Sequence, residues 1–123
     1  MILGIGTDIV DCARIAKVLE RKGELFTSHL LTEKEQTQSR NDLYYICGRW
    51  AAKEAFSKAL GCGIGAQCSF QDIQILRDPS SGRPLLSVHG KAAETAAALG
   101  AKHFHVSISH EKTHAVATVI IED

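Results

Sequence analysis

The sequence has no surplus of charge of either sign. Its 123 residues include 14 lysine and arginine residues and 14 aspartate and glutamate residues, which gives a formal net charge of zero. Proteins that bind a nucleic-acid backbone usually carry a basic surplus, and polybasic segments attract anionic membranes. The balance therefore argues against a nucleic-acid or membrane partner, although it leaves room for a local basic patch.

Long apolar runs and paired-cysteine motifs are also missing. The longest apolar run near the C-terminus, AVATVII, is far too short to span a bilayer. The first residues, MILGIGTDIVD, lack a basic region and reach an acidic residue at Asp8, so we expect no secretory signal. The four cysteines contain no CxxC pair, which predicts reduced thiols in a cytoplasmic protein.

Several well-known catalytic motifs are absent. The chain contains no GxSxG and no HExxH, and its glycine-rich segments lack the third glycine of the dinucleotide fingerprint and the Lys-Ser or Lys-Thr of a P-loop. The segment Ser107-Ile108-Ser109-His110 is too weak to indicate a serine hydrolase. The six histidines are expected to be surface or hydrogen-bonded residues rather than a zinc site.

The length and the residue patterns predict one α+β domain over residues 1–123. Alternating or continuous apolar runs indicate strands, helical periodicity indicates helices, and hairpin connections predict a largely antiparallel sheet. The predicted order is β-α-α-α-β-β-α-β-β, with elements at residues 2–10, 11–22, 32–39, 42–60, 70–76, 84–88, 90–99, 103–109 and 114–121.

Local signals set several of these boundaries. Thr32 and Glu35 have the spacing of a capping box, which predicts a helix start. Asn41 is expected to cap the longest helix, and Gly61 lies just past its predicted end. Gly23 is expected to end the first helix in the same way.

Asp8 lies near the end of a strand that is otherwise apolar and glycine-bearing. A charge in that position is costly unless it has a partner. It either caps the helix that follows or binds a hard cation, because Mg²⁺ is usually held by one or two carboxylates together with substrate phosphates.

The longest predicted helix carries charges among apolar residues. Glu54 and Lys58 are i,i+4 neighbours, and Arg49 and Lys53 share a side of the helix with Phe56. Such charges are either a solvated ion pair or the margin of a functional site.

Basic residues form a stripe on the first predicted helix. Arg14, Lys17, Arg21 and Lys22 lie at i, i+3, i+7 and i+8, away from the apolar face. The stripe is either a solvated face or a surface for an acidic partner.

Taken together, these segments resemble the holo-acyl-carrier-protein synthases, a family of small 4′-phosphopantetheinyl transferases. The likeness runs from Met1 to the closing strand. It is carried by GIGTDIV (4–10), Arg14-Ile15 in the next helix, RWAAKEAFSKALGCGI (49–64), Gly82-Arg83-Pro84, and VSISHE (106–111).

The resemblance implies the fold of that family and its reaction. Its enzymes move 4′-phosphopantetheine from coenzyme A to a serine of apo-acyl carrier protein, release adenosine 3′,5′-bisphosphate, require Mg²⁺ and support fatty acid biosynthesis. They are homotrimers with active sites between subunits, so Asp8 and Glu54 are expected on one subunit while Pro84 or His110 serves a neighbour.

The resemblance also assigns residues. Asp8 and Glu54 are expected to hold the metal, and Glu54 to take the serine proton, directly or preferably through a metal-bound water. Lys58 and N–H groups of the glycine loop are expected to stabilise negative charge. The expected coenzyme A pocket contains Arg49, Lys58, Gly63, Pro84, Ser109 and His110. Arg14 and Arg21 are expected to contact the acidic carrier protein, and Lys17 is added because helix geometry places it in the same stripe.

Two rival functions remain open from the sequence. A magnesium-dependent hydrolase of nucleotide pyrophosphates could use the same carboxylates with water as the nucleophile. A non-catalytic module could bind acidic partners through the basic stripe, but it would not explain Asp8 and Glu54 together.

Overall fold

A computed structural model describes all residues from 1 to 123, and its strands form two antiparallel sheets. The larger sheet has the order β1-β5-β4, with β1 at Ile2–Asp11, β4 at His103–His110 and β5 at His114–Glu122. The smaller sheet is a hairpin of β2, Ile73–Arg77, and β3, Pro84–Val88. The expected α+β class and the antiparallel pairing are therefore confirmed.

Five α-helices complete the fold. They are α1 at Cys12–Lys22, α2 at Glu24–Leu30, α3 at Glu33–Ser39, α4 at Leu43–Leu60 and α5 at Gly90–Ala98. The predicted order is retained, with one addition before α3. Helix α2 has only seven residues, which is too short for its buried pair Phe26 and Leu30 to show a helical repeat in the sequence.

Two local expectations need correction. Asp42, not Asn41, caps α4, because the Asp42 side chain accepts a hydrogen bond from the Tyr44 N–H while Asn41 has a left-handed φ of 61°. The strand predicted from residue 70 begins at Ile73, because Phe70–Asp72 forms a 3₁₀ turn. The Thr32–Glu35 capping box is confirmed.

Helix α4 packs against the larger sheet at very short range. A Cβ added to Gly4 would lie 2.1 Å from the Ala59 carbonyl oxygen, and one added to Gly6 would lie 2.0 Å from the Ala55 carbonyl oxygen. Only glycine permits this approach of β1 to the helix backbone. The two glycines therefore determine how deeply α4 lies on β1.

The larger sheet has one face against α4 and one face open to solvent. Residues of the open face, called here the outer sheet face, include Ile5 and Ile9, each 64% exposed. Thr7 and Thr118 lie on the same face, with 3.2 Å between their hydroxyl oxygens. An apolar strip is thus left uncovered along β1 of a single chain.

No helix combines the length and the apolar character needed to cross a bilayer.

Candidate active site

The close packing of α4 on β1 brings Asp8 beside the C-terminal half of the helix. Asp8 follows Gly4 and Gly6 on the same side of β1, because side chains two residues apart share a face. The Lys58 Nζ lies 2.9 Å from Asp8 Oδ1 and 3.1 Å from the Thr7 carbonyl oxygen. Asp8 therefore has the cationic partner that its position in an apolar strand requires.

Glu54 lies one helical turn before Lys58 and completes this group. Burial raises the pKa of Glu54 above its ordinary value, the nearby Asp8 carboxylate raises it further, and Lys58 and Arg14 oppose the shift. Two carboxylates that repel each other in a half-buried place favour a cation between them. We call Asp8, Glu54 and Lys58 the carboxylate centre.

The donor set of the carboxylate centre fits one class of metal better than others. No three histidine, cysteine, aspartate or glutamate side chains are gathered closely enough to hold an ion. Zinc sites normally require three or four such ligands, whereas Mg²⁺ needs only one or two carboxylates when phosphate oxygens and water supply the rest. The residues present therefore fit magnesium bound together with a phosphate-bearing substrate.

A separate cleft lies beside the first half of α4. It has a volume of about 230 Å³ and includes Tyr44, Arg49, Pro84, Ile108 and His110 in its lining. The rings of Tyr44 and His110 are stacked, with centroids 5.0 Å apart and an interplanar angle of 16°. The structure thus brings the predicted residues Arg49, Pro84 and His110 together, and adds Tyr44. We call this group the α4 cleft.

Arg49 is held firmly in the α4 cleft. Its side chain is buried, its Nε donates to the Ile75 carbonyl oxygen at 3.0 Å, and its guanidinium carbon lies 3.8 Å from the Tyr45 ring centroid. These contacts leave the two terminal nitrogens as its donors toward the cleft.

The carboxylate centre and the α4 cleft face different directions. At 3.6 residues per turn, Arg49 and Lys58 are roughly 180° apart around α4, and Arg49 and Glu54 about 140°. None of Asp8, Glu54 and Lys58 lines the α4 cleft. The carboxylate centre and the α4 cleft therefore lie on opposite sides of one helix.

Besides Lys58, two further predicted pocket residues lie outside the α4 cleft. Ser109 is exposed and precedes His110 on β4, so the two side chains alternate to opposite faces of the sheet. Gly63 lies in the loop after α4, with a φ of +69° and no atom within 4 Å of an added Cβ. Their contact with coenzyme A stays a prediction.

Four of the five N–H groups of the glycine loop, residues 61–65, already have acceptors, and only the Ile64 N–H has none. The Gly61 N–H donates to the Lys58 carbonyl, and those of Cys62 and Gly63 donate to the Ser57 carbonyl. The Gly65 N–H donates to the Cys68 carbonyl. These donors complete the helix C-terminus and the turn that follows it, so they are not available to a phosphate.

Lys53 belongs neither to the carboxylate centre nor to the α4 cleft. It is fully buried, with Nζ 2.6 Å from Glu35 Oε1. Burial lowers the pKa of Lys53, and the Glu35 carboxylate opposes that shift. This ion pair was not predicted from the sequence, because Glu35 fits the pattern of an ordinary helix-capping residue.

The basic stripe of α1 lies on the protein surface. Arg14, Lys17, Arg21 and Lys22 are all exposed, whereas Cys12 and Ile15 of the same helix are buried. The Arg14 guanidinium lies 5.9 Å from the Trp50 ring centroid, and its charge lowers the pKa of Glu54. The stripe therefore begins close to the carboxylate centre.

Comparison with known proteins decides the family. A sequence model of the 4′-phosphopantetheinyl transferase superfamily matches residues 4–119. The chain belongs to this superfamily. It is 46% identical over 124 residues to a holo-[acyl-carrier-protein] synthase of Photobacterium profundum, a match that covers 98% of each sequence.

Solved structures of the superfamily share the fold of this chain. The holo-[acyl-carrier-protein] synthase from Neisseria meningitidis matches with a TM-score of 0.92 and 34% identity over 100% of both chains. The Helicobacter pylori holo-[acyl-carrier-protein] synthase, solved in complex with coenzyme A, matches with a TM-score of 0.87 and 36% identity. That match covers 96% of this chain and 99% of the Helicobacter chain. The expected transferase fold is confirmed.

Proposed function

We propose that this chain is a holo-acyl-carrier-protein synthase, which transfers 4′-phosphopantetheine from coenzyme A to a serine of apo-acyl carrier protein. The observation that carries the proposal is the carboxylate centre, in a chain whose fold matches that of the Helicobacter enzyme solved in complex with coenzyme A. The reaction releases adenosine 3′,5′-bisphosphate and readies the carrier for fatty acid biosynthesis. We assign it to one cytoplasmic domain over residues 1–123.

Asp8 and Glu54 are the residues that hold Mg²⁺ in this proposal. When bound, the metal neutralises pyrophosphate charge and stabilises the leaving group. Two carboxylates suit this role because they leave coordination positions for the phosphate oxygens of the substrate. Burial and the Asp8 carboxylate raise the pKa of Glu54, and a bound cation would relieve the repulsion between the two carboxylates.

Lys58 and Glu54 have separate roles toward the substrates. Transfer of a phosphoryl group depends on charge neutralisation and alignment more than on covalent help. Lys58 is half exposed on a flexible stem, so it can exchange its contact with Asp8 for a phosphate oxygen of coenzyme A. Glu54 accepts the proton of the attacking serine hydroxyl, directly or through a water molecule.

The basic stripe of α1 is the docking surface for the carrier protein. Arg14, Lys17 and Arg21 are exposed in a line that starts beside the carboxylate centre. An acidic carrier is attracted to such a face, which orients its serine toward Glu54. This arrangement favours a protein acceptor over water.

We further infer that the enzyme is a homotrimer with shared sites. The α4 cleft, at about 230 Å³, falls below the usual 300–1,000 Å³ of a ligand pocket, and it faces away from the carboxylate centre. A second copy packed on the outer sheet face would bury Ile5 and Ile9. Within such a trimer the carboxylate centre of one subunit meets Arg49, Pro84 and His110 of a neighbour.

One assay tests the proposed function against its rivals. The protein is incubated with coenzyme A, Mg²⁺ and apo-acyl carrier protein, and both the carrier mass and the nucleotide products are measured. A carrier that gains one phosphopantetheine supports transfer. Cleavage of coenzyme A without that gain indicates a pyrophosphate hydrolase, and unchanged reactants with a bound carrier indicate a binding module.

A further inference from the structure

The carboxylate of Glu35 is fully buried and each of its oxygens has a defined partner. Oε1 accepts a hydrogen bond from the Thr32 N–H at 2.8 Å and from Lys53 Nζ at 2.6 Å. Oε2 accepts a hydrogen bond from the Ile75 N–H at 2.7 Å. A single side chain of α3 thus joins its own helix start to α4 and to β2.

The Lys53 ammonium completes this buried centre. It donates to the Leu30 carbonyl oxygen at 2.7 Å and to the Phe70 carbonyl oxygen at 3.0 Å, in addition to Glu35. All three of its donors are used, so the charge is fully satisfied without water. Lys53 lies four residues after Arg49 on α4, so the two share one side of the helix.

The contact with Ile75 leads from Glu35 to Arg49. The backbone N–H and carbonyl of Ile75 both point away from β3, toward the free edge of β2. In an antiparallel pair, every second residue directs both groups to that side. The N–H binds Glu35 Oε2 at 2.7 Å, and the carbonyl accepts the Arg49 Nε at 3.0 Å. One backbone residue therefore connects the buried carboxylate to the guanidinium of the α4 cleft.

The other support of Arg49 is also held by α3. The guanidinium lies on the Tyr45 ring, whose hydroxyl donates to Gln38 Oε1 at 3.0 Å. Gln38 also accepts from the Arg77 N–H at 2.7 Å and donates to the Arg77 carbonyl at 3.0 Å. Glu35 and Gln38, one turn apart on α3, thus hold both surfaces against which Arg49 rests.

We propose that Glu35 is a positioning residue for Arg49, which it orients through Ile75 so that the terminal guanidinium nitrogens bind a phosphate of coenzyme A. The inference rests on the proposed function in taking coenzyme A as the ligand. A guanidinium that is already held at Nε and along one face loses little conformational freedom when it binds an anion. The affinity for coenzyme A therefore depends on whether the guanidinium is held in the right orientation. The network acts on coenzyme A and not on the carrier protein, which docks elsewhere.

The test is a double-mutant cycle on coenzyme A affinity, read by titration calorimetry on the whole oligomer with Mg²⁺ and no carrier. Glu35→Gln is measured with and without Arg49→Lys, because coupling between the two residues is the quantity of interest. We expect Glu35→Gln alone to raise the Kd for coenzyme A about tenfold, as expected for loss of a charge-assisted contact. In the Arg49→Lys background the same change is expected to shift the Kd less than about twofold.

Two companion variants separate positioning from stability. Glu35→Gln combined with Lys53→Met removes the unpaired ammonium and protects the fold, and it is expected to keep the raised Kd. Ile121→Ala opens the core under β5 away from the network, so it is expected to lower the melting temperature and leave the Kd unchanged. The KM for the carrier is expected to stay within about twofold in folded Glu35 variants, since docking on α1 is untouched.

Three results would overturn the inference. These are an unchanged Kd in both Glu35 variants, an equal rise with and without Arg49→Lys, and an equal rise in Ile121→Ala. Failure of this inference can be distinguished from failure of the proposed function. If the wild-type protein binds coenzyme A but does not modify the carrier, the transferase function is wrong, and the double-mutant cycle on coenzyme A affinity can still be measured. A wild-type protein that binds no coenzyme A overturns both.

Discussion

Lys58 and Asp8 form an ion pair, with Nζ 2.9 Å from Oδ1, although they lie on different elements 50 positions apart. The pair exists because Gly4 and Gly6 let α4 lie directly on β1. Its Lys58 side chain is half exposed, so the contact itself contributes little stability. The ion pair instead holds the Lys58 ammonium and the Asp8 carboxylate together at one end of α4.

Neutralising Asp8 is expected to weaken the metal dependence of the reaction in a measurable way. Asp8→Asn removes one of the two carboxylates that we assign to Mg²⁺, so the magnesium concentration for half-maximal rate should rise at least about tenfold. The measurement is initial rate against magnesium concentration. Glu94→Gln, which neutralises an exposed carboxylate on α5, is the control, and an Asp8→Asn enzyme with the same magnesium response would remove Asp8 from the site.

Adding one methyl group to Gly6 is expected to destabilise the fold. Gly6→Ala places a Cβ 2.0 Å from the Ala55 carbonyl oxygen, so α4 has to move away from β1. Overpacking of this kind costs about 1–3 kcal/mol or more, measured as the free energy of unfolding. Gly65→Ala, where an added Cβ meets nothing within 4 Å, is the matched control. Equal stability of the two variants would contradict the packing account.

Charge reversal on the basic stripe is expected to affect the carrier and not coenzyme A. Arg21→Glu and Lys17→Glu should each raise the KM for acyl carrier protein several-fold, and raised salt should reduce the difference from wild type. Steady-state kinetics with each substrate varied in turn gives both KM values. Arg14→Glu should behave in the same way. Lys91→Glu, on exposed α5, controls for net charge, and an equal effect of that change would remove the stripe as a docking surface.

The four cysteines are expected to differ sharply in reactivity. Burial raises the pKa values of Cys47 and Cys68 to about 12, and Cys12 is buried as well. At pH 8 a thiol with that pKa is about 0.01% thiolate, the form that reacts. Cys62 is the one partly exposed thiol, so a disulfide reagent should label one cysteine per folded chain quickly. Fast labelling that persists in Cys62→Ser would contradict this burial pattern.

Much of the fold was predictable because its signals are local. The strict alternation at Phe104, Val106 and Ile108, and the capping box at Thr32 and Glu35, both correspond to what the structure contains. Helix α2 was not predictable, because seven residues are too few for periodicity to show. Most N–H groups of the glycine loop are used by carbonyls at the end of α4 and in the following turn, which a sequence does not show, and a contact of the loop with phosphate stays a prediction.

The site was predictable in its parts but not in its arrangement. Motif likeness singled out Asp8, Glu54 and Lys58, and the structure gathers them. The opposite directions of Arg49 and Lys58 follow from helix geometry, yet only the packing around α4 shows that the cleft and the carboxylates are on different sides. Glu35 was missed because its partners, Lys53 and Ile75, are distant in sequence.

Subunit complementation tests most directly whether the proposed transferase centre is shared between neighbouring chains. Asp8→Asn protein and Arg49→Ala protein, each impaired alone, are mixed, dissociated and reassembled, and the rate of phosphopantetheine transfer to the carrier is measured. In a randomly mixed trimer about a quarter of the sites would combine an intact carboxylate centre from one chain with an intact α4 cleft from its neighbour. A centre shared between subunits predicts activity near a quarter of wild type, whereas a mixture no more active than its separate components would contradict a shared centre.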